Sequence, residues 1–233
     1  MPRALASVPL PARLLVIDAQ STDETIALAG ERQAQVIVRP WAGFVSTRRF
    51  ALASVRTPWT FMLDADEALD AEAARALGAA QPEADTNGYT LARHTYFCER
   101  RIRGGGWGGE APLRLFRTAV ARLAAHPAAG GVAELHESWN VPGRIDHLTG
   151  TLHHYSYPTL ASYRSKFSRY TALEASGLQA SRARFARALA IAAGRAPWLF
   201  FARGGWRDGW RGAFIALASA AYPLAVAWKA LRP

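Results

Sequence analysis

An α/β protein with a mixed sheet, flanking helices and a helical C-terminal tail is what this chain predicts. Three observations carry that expectation. Apolar strand-like segments alternate with helical ones from Arg13 to Glu67, the βαβ rhythm of a parallel sheet with right-handed crossovers. An acidic cluster, Leu63-Asp64-Ala65-Asp66-Glu67, closes the third apolar stretch. Beyond Ser181 the chain turns rich in Ala, Arg and Trp, which reads as helix.

Arg13 to Asp18 is expected as the first strand, because its apolar middle is continuous rather than alternating. Ser21 and Glu24 have the spacing of a capping box and predict a helix after it. Val36-Ile37-Val38 is the second strand, stopped by Pro40, and Ser46 to Ser54 a short helix carrying Arg48 and Arg49. Trp59 to Leu63 is the third strand, delivering Asp64 and Asp66 at its carboxyl end, where open α/β sheets place ligands. Two carboxylates there suit Mg²⁺ or Mn²⁺, which take one or two protein carboxylates with substrate phosphates and water. The same residues also read as caps, with Asp66 and Asp70 starting a helix over Ala71 to Ala80.

From Gly88 the pattern changes to that of a mixed-sheet half, with strands over Gly88 to Tyr96 and Pro112 to Arg117. Between them, Gly104 to Gly109 could offer backbone amides to a phosphate, let a sugar ring approach over Trp107, or form a plain loop. Leu160, Tyr163, Phe167, Tyr170 and Leu173 recur at threes and fours and predict an amphipathic helix from Thr159 to about Gly177, whose aromatics read as packing.

The formal charge of +10, from 28 Lys and Arg against 18 Asp and Glu, favours phosphate-bearing partners. The arginines are dispersed among acidic and apolar segments without a nucleic-acid motif, so no nucleic-acid partner is expected. A single cysteine, Cys98, excludes an internal disulfide and a Cys-based metal site. The start is read as no signal peptide, since prolines break its short apolar region. Trp198, Phe201, Arg203, Trp206, Arg207, Trp210 and Arg211 interleave beside the sixteen uncharged residues Ala213 to Trp228, which Pro223 interrupts. That run is shorter than the roughly 20 residues a span needs. The tail therefore reads as helices lying in an anionic membrane interface, or as a hairpin packed on protein.

Several motifs occur in the order of a known family. Val16-Ile17-Asp18 with Ser21-Thr22-Asp23, Arg39-Pro40-Trp41 with Gly43-Phe44, the acidic cluster, Gly105-Gly106-Trp107, Leu113 to Arg117, His136-Glu137-Ser138, His154-Tyr155-Ser156-Tyr157 and Gly205-Trp206 with Asp208-Gly209 and Gly212 together resemble the family 2 glycosyltransferases. The resemblance is to the lipopolysaccharide-core group that adds a sugar to inner-core heptose, and it covers nearly the whole chain. It implies the A-type glycosyltransferase fold, with a catalytic domain over residues 1–158 and a helical region over 159–233. It also implies an inverting transfer from a nucleoside-diphosphate sugar, expected to be a UDP-sugar, to a lipid-linked saccharide acceptor. The site would be cytoplasmic, at the inner face of the cytoplasmic membrane.

By that resemblance Asp18 would hold the base or ribose, or be an ordinary turn residue. Arg48 would face the diphosphate, Asp64 the ribose, and Gly105, Gly106 and Trp107 the donor. Asp66 would bind the metal, with His154 approaching it or the diphosphate. Glu137 would be the general base and His136 a structural neighbour. The chain departs from the family at Arg49, Gly104 and Glu110, where Asn, His and Asp are usual. Leu5 to Pro9 resembles the end of the family's first helix, so the first strand and most of that helix are expected to be missing. A late start codon or a non-catalytic relic are the two readings of that. Polyprenyl phosphate or protein are alternative acceptors.

Overall fold

The computed structural model describes residues 1–9, 12–80, 83–125 and 137–232. The chain forms two compact units: Met1–Arg93, Ala111–His126 and His136–His154 make the first, and the remainder the second.

In the first unit, helix α1 (Pro2–Ser7) precedes strand β1 (Leu15–Asp18), helix α2 (Thr25–Glu31) and strand β2 (Gln35–Val38). β1 and β2 pair in parallel, Leu15 with Gln35 through Asp18 with Val38. The expected capping box does not form. The Ser21 amide donates to the Asp18 carboxylate at 2.9 Å, so the turn is fixed early and α2 begins only at Thr25, without a side-chain cap. Helix α3 (Phe44–Ser54) then leads to strand β3 (Trp59–Phe61).

The expected continuation of one parallel sheet does not occur. β3 runs antiparallel to β7 (Leu113–Arg117), with Thr60 opposite Phe116, while β1 and β2 form a sheet of two. Pairing depends on which strand lies alongside in space, and the βαβ rhythm carries no information about a partner more than fifty residues later. The larger sheet contains β4 (Glu67–Leu69), β5 (Thr86–Phe97), β6 (Arg100–Arg101) and β10 (Arg144–Tyr157), in the order β3-β7-β5-β10-β4 with β6 on β5. The hairpin of β8 (Arg122–Ala125) and β9 (Glu137–Asn140) pairs Ala125 with Glu137.

Two clusters fill the first unit. Val45, Phe116, Leu123, Trp139 and Val141 form one, and Leu69, Ala73, Leu91, Leu115, Leu148 and Leu152 the other. Phe116, Leu91 and Leu152 are fully buried. Each such side chain contributes about 1.5–3 kcal/mol of transfer free energy. Helix α4 (Ala71–Ala79) lies on the second cluster through Ala73. Its N-cap is Asp70, whose carboxylate accepts the Ala73 amide at 2.7 Å. Of the two carboxylates expected as caps, then, Asp70 takes that role.

The second unit packs helix α5 (Leu160–Ser176), helix α6 (Arg182–Pro197) and helix α7 (Gly209–Ala230) with the ends of β5 and β10. Thr159 and Ser162 make a reciprocal capping box at the start of α5. A π-helical turn (Trp198–Ala202) and a 3₁₀ turn (Gly205–Asp208) join α6 to α7. The core here is aromatic: Phe97 meets Tyr163, Phe214 and Trp107 at centroid distances of 5.8, 5.3 and 6.1 Å.

The glycine-rich loop belongs to this unit, and close packing explains its Gly104 and Gly108. The Asp208 carboxylate accepts the amides of Arg103 and Gly104. A methyl group on Gly104 would lie 2.2 Å from the carbonyl oxygen of Gly204, against backbone that cannot yield. Gly104→Ala is expected to cost about 1–3 kcal/mol by overpacking. Thermal unfolding should register a loss on the order of 2–10 °C, and an unchanged midpoint would refute this account.

Candidate active site

The site lies in the first unit, at the turn between β3 and β4. Asp64 and Glu67 close that turn on each other: the Glu67 amide donates to the Asp64 carbonyl at 3.0 Å, and the Asp64 amide to the Glu67 carboxylate at 3.1 Å. The turn carries two kinds of carboxylate. Glu67 points inward and is fully buried, while Asp66 keeps more than a third of its side chain open.

Arginines from other elements converge on this turn. Arg114 on β7, almost completely buried, bonds Glu67 and reaches Asp64 at 3.3 Å. Arg93 on β5 stands 3.8 Å from Glu67. Arg48 on α3 donates one arm to Asp64 at 2.8 Å and the other to Glu137 on β9 at 2.5 Å. Helix α3 thus ties the acidic turn to a carboxylate that lies 89 residues beyond Arg48 in sequence. The Glu137 side chain is 7% exposed, and its Oε2 is buried with no hydrogen-bond partner among the described residues.

The charges shape one another. Burial alone would raise Asp64, but the guanidinium groups of Arg114 and Arg48 outweigh it and hold the carboxyl below its usual range. Burial dominates at Glu67 and pushes it up, against the opposing pull of Arg114. Arg114 is held above its usual value, because Glu67 and Asp64 overcome the desolvation that would lower it.

Asp66 and His154 face each other across the start of β4, where the ladder sets His154 opposite Glu67. Asp66 Oδ2 and His154 Nε2 are 3.6 Å apart. That spacing lets both reach one ion of the kind that binds oxygen at about 2.1 Å. No cluster of three or more His, Cys, Asp or Glu suited to a metal occurs among the described residues. The pair therefore fits a cation completed by substrate phosphates and water, and does not form a full protein cage.

The structure thus brings together Arg48, Asp64, Asp66, Glu137 and His154 from the sequence-derived set. Asp18, 3% exposed at the end of β1, uses its carboxylate to hold the Ser21 amide. Gly105, Gly106 and Trp107 belong to the second unit, where Trp107 stacks on Tyr157 at 5.4 Å. His136 lies outside the described residues. Sequence reasoning gave no role to Glu67 or Arg114. Their signal was present in Leu113 to Arg117, where an arginine sits among apolar residues of a strand and needs a buried anion.

Comparison with known proteins agrees with this architecture. The profile of glycosyl transferase family 2 matches residues 3–136, more than half of the chain, so the chain belongs to that family. The mixed α/β fold is the A-type glycosyltransferase fold expected from the sequence. Lipopolysaccharide core biosynthesis glycosyltransferase LpsC of Rhizobium meliloti is 27% identical over 240 residues, covering 97% of this chain and 85% of its own. An uncharacterized glycosyltransferase of Rickettsia felis is 42% identical over 59 residues, 25% of this chain and 21% of its own length. Another, from Rickettsia conorii, is 38% identical over 71 residues, 30% of this chain and 25% of its own. The aligned part of the chain thus spans a quarter or less of those relatives. The crystal structure of S. aureus TarS 1–349 aligns with 97% of this chain and 82% of that one, at a TM-score of 0.35 and 14% identity.

Proposed function

We propose that the chain is an inverting glycosyltransferase that moves a sugar from a nucleoside-diphosphate sugar, a UDP-sugar by expectation, to a lipid-anchored saccharide acceptor of the lipopolysaccharide inner core. The observation that carries this reading is the Arg48 bridge, which holds the acidic motif and a buried glutamate as one cluster. Membership of family 2 and the likeness to LpsC over nearly the full chain support it.

In this reading Glu137 is the base. The acceptor hydroxyl attacks the anomeric carbon from the face opposite the diphosphate, and its proton passes to a carboxylate oxygen of Glu137. The bond from the anomeric carbon to the diphosphate oxygen breaks, its electron pair leaves with the nucleotide, and configuration inverts. Asp64, held ionised by two arginines, accepts ribose hydroxyls. Asp18 stands for the nucleotide base or ribose. Asp66 and His154 would hold Mg²⁺ or Mn²⁺, which supplies positive charge for the departing diphosphate. Asp66→Ala is expected to abolish the dependence of UDP binding on added Mn²⁺ in calorimetric titrations. Equal Mn²⁺ enhancement in wild type and variant would remove Asp66 as a ligand.

The acceptor's lipid anchor calls for a membrane-facing surface, and the second unit offers one. Phe201, Trp206, Trp210 and Leu217 are each more than half exposed, next to the joint of α6 and α7. Arg207 and Arg211 lie over the rings of Trp206 and Trp210 at 5.4 and 4.6 Å. Indoles at the headgroup level beside guanidinium groups suit an anionic bilayer. Gly205–Ala230 is, by length and composition, apolar enough to cross a membrane. α7 is nonetheless anchored by polar bonds, Tyr222 to Glu174 at 2.7 Å and Lys229 to Thr171 at 2.9 Å, which a spanning helix would forfeit. These features support the reading of a peripheral position on the inner face of the cytoplasmic membrane. The protein should float with vesicles containing phosphatidylglycerol, and Phe201→Ser with Trp206→Ser should reduce the floated fraction several-fold. Equal flotation of the variant would overturn the assignment of this patch.

A further inference from the structure

We infer that Arg48 is a positioning residue that works through Glu137, and that it is not a contact to the diphosphate. The inference rests on the reading of Glu137 as the base. Both terminal nitrogens of the guanidinium are engaged: one bonds Asp64 at 2.8 Å, the other Glu137 Oε1 at 2.5 Å. A planar fork held at both tines fixes its partners in direction as well as distance. Glu137 is therefore gripped by one oxygen only. Its Oε2 is buried with no partner among the described residues, although a buried carboxylate oxygen ordinarily finds a donor. The hydroxyl that gives up its proton is the donor this oxygen lacks. Arg48 thus occupies Oε1 and leaves Oε2 as the oxygen with accepting capacity unused, and it sets the base by reference to Asp64, the residue that meets the donor. Asp64 does not depend on Arg48 alone, because Arg114 also reaches it.

Two measurements separate this role from direct binding of the diphosphate. Calorimetric titration with UDP and Mn²⁺ should give dissociation constants within about threefold of wild type for Arg48→Lys and Arg48→Ala, since the pyrophosphate loses no contact. Release of UDP from a panel of UDP-hexoses, with water as the acceptor, should fall on the order of 100-fold in Arg48→Ala, because a misplaced base costs that much. The smaller loss belongs to Arg48→Lys, whose single ammonium can hold Glu137 or Asp64 but cannot bridge them. In the Glu137→Gln background, Arg48→Ala should slow release no further, as expected for residues acting as one unit. Losses that multiply, a tenfold weaker UDP affinity, or wild-type turnover in Arg48→Lys would each overturn the positioning role while leaving the transferase reading intact. Failure of the wild-type protein to release UDP from any donor in the panel would instead remove the transferase reading, and this inference with it. Arg48→Lys keeps the charge and guards against a merely unfolded Arg48→Ala, with thermal melts as the control.

Discussion

Replacing Glu137 by glutamine is expected to lower turnover by about 10²- to 10⁴-fold, the range a positioned general base supplies. The side chains are nearly isosteric, and the amide oxygen can still accept from Arg48, so the bridge to Asp64 remains. The amide cannot take a proton at the reacting oxygen. Binding and chemistry should therefore separate. The UDP dissociation constant and the unfolding midpoint should stay near wild type while sugar transfer collapses, read as UDP release or as incorporation of labelled sugar into lipopolysaccharide core. Turnover above a tenth of wild type would exclude Glu137 as the base. A parallel loss of thermal stability would assign it a structural role.

The acidic turn was legible because it ends an apolar run in a basic chain, and that contrast alone pointed to Asp64 and Asp66. What each carboxylate does was less legible. Asp-x-Asp followed by Glu67 and Asp70 contains a proposed nucleotide contact, a metal candidate, a buried anchor and a helix cap within seven residues. Only the directions of the side chains distinguish them. Asp70 faces the free amide of Ala73, Glu67 turns toward Arg114, and Asp66 stays open beside His154. Local sequence does not record such directions.

The strands were found more readily than their partners. β1, β2 and β3 have continuous apolar character that needs no context, but the antiparallel pairing of β3 with β7 joins Trp59 to Arg117. β10 was not anticipated at all. Its Arg144 to Tyr157 run mixes Asp, His, Thr and Gly, and it becomes a strand because Leu148 and Leu152 reach a core assembled by distant segments. Gly150 belongs to the same arrangement. Its φ of +88° and an absent Cβ, which would lie 2.2 Å from the Ala73 nitrogen, let β10 pass against α4. Gly104 is ambiguous for a related reason, since a residue kept small for packing looks in sequence like one kept small for a ligand.

Arg114→Ala should be the most destabilising single change in the site. The variant leaves Glu67, at full burial, with only the more distant Arg93 at 3.8 Å and withdraws one of two arginines from Asp64. Breaking a buried pair from one side costs about 3–5 kcal/mol, because the remaining charge is cut off from water and has lost its hydrogen-bonded partner. For a chain of this length that is on the order of 6–20 °C in the unfolding midpoint. Removing both charges is a different perturbation. Arg114→Met with Glu67→Leu takes away the uncompensated anion and should recover much of the loss. The pH dependence has a definite sign. Glu67 is already raised in the folded protein, and loss of Arg114 removes the main influence opposing that rise. A carboxyl raised on folding favours the folded state below its unfolded value, about 4.3, and loses that contribution as pH climbs through the folded value. The deficit of Arg114→Ala relative to wild type should therefore widen from pH 5 to pH 8 in denaturant titrations. Asp64 acts in the opposite sense. Its lowered carboxyl stabilises wild type above the unfolded value of about 3.9, and removing Arg114 diminishes that benefit across the same interval. Both effects penalise the variant at neutral pH, and a deficit that narrows with rising pH would show that Arg114 does not neutralise this pair.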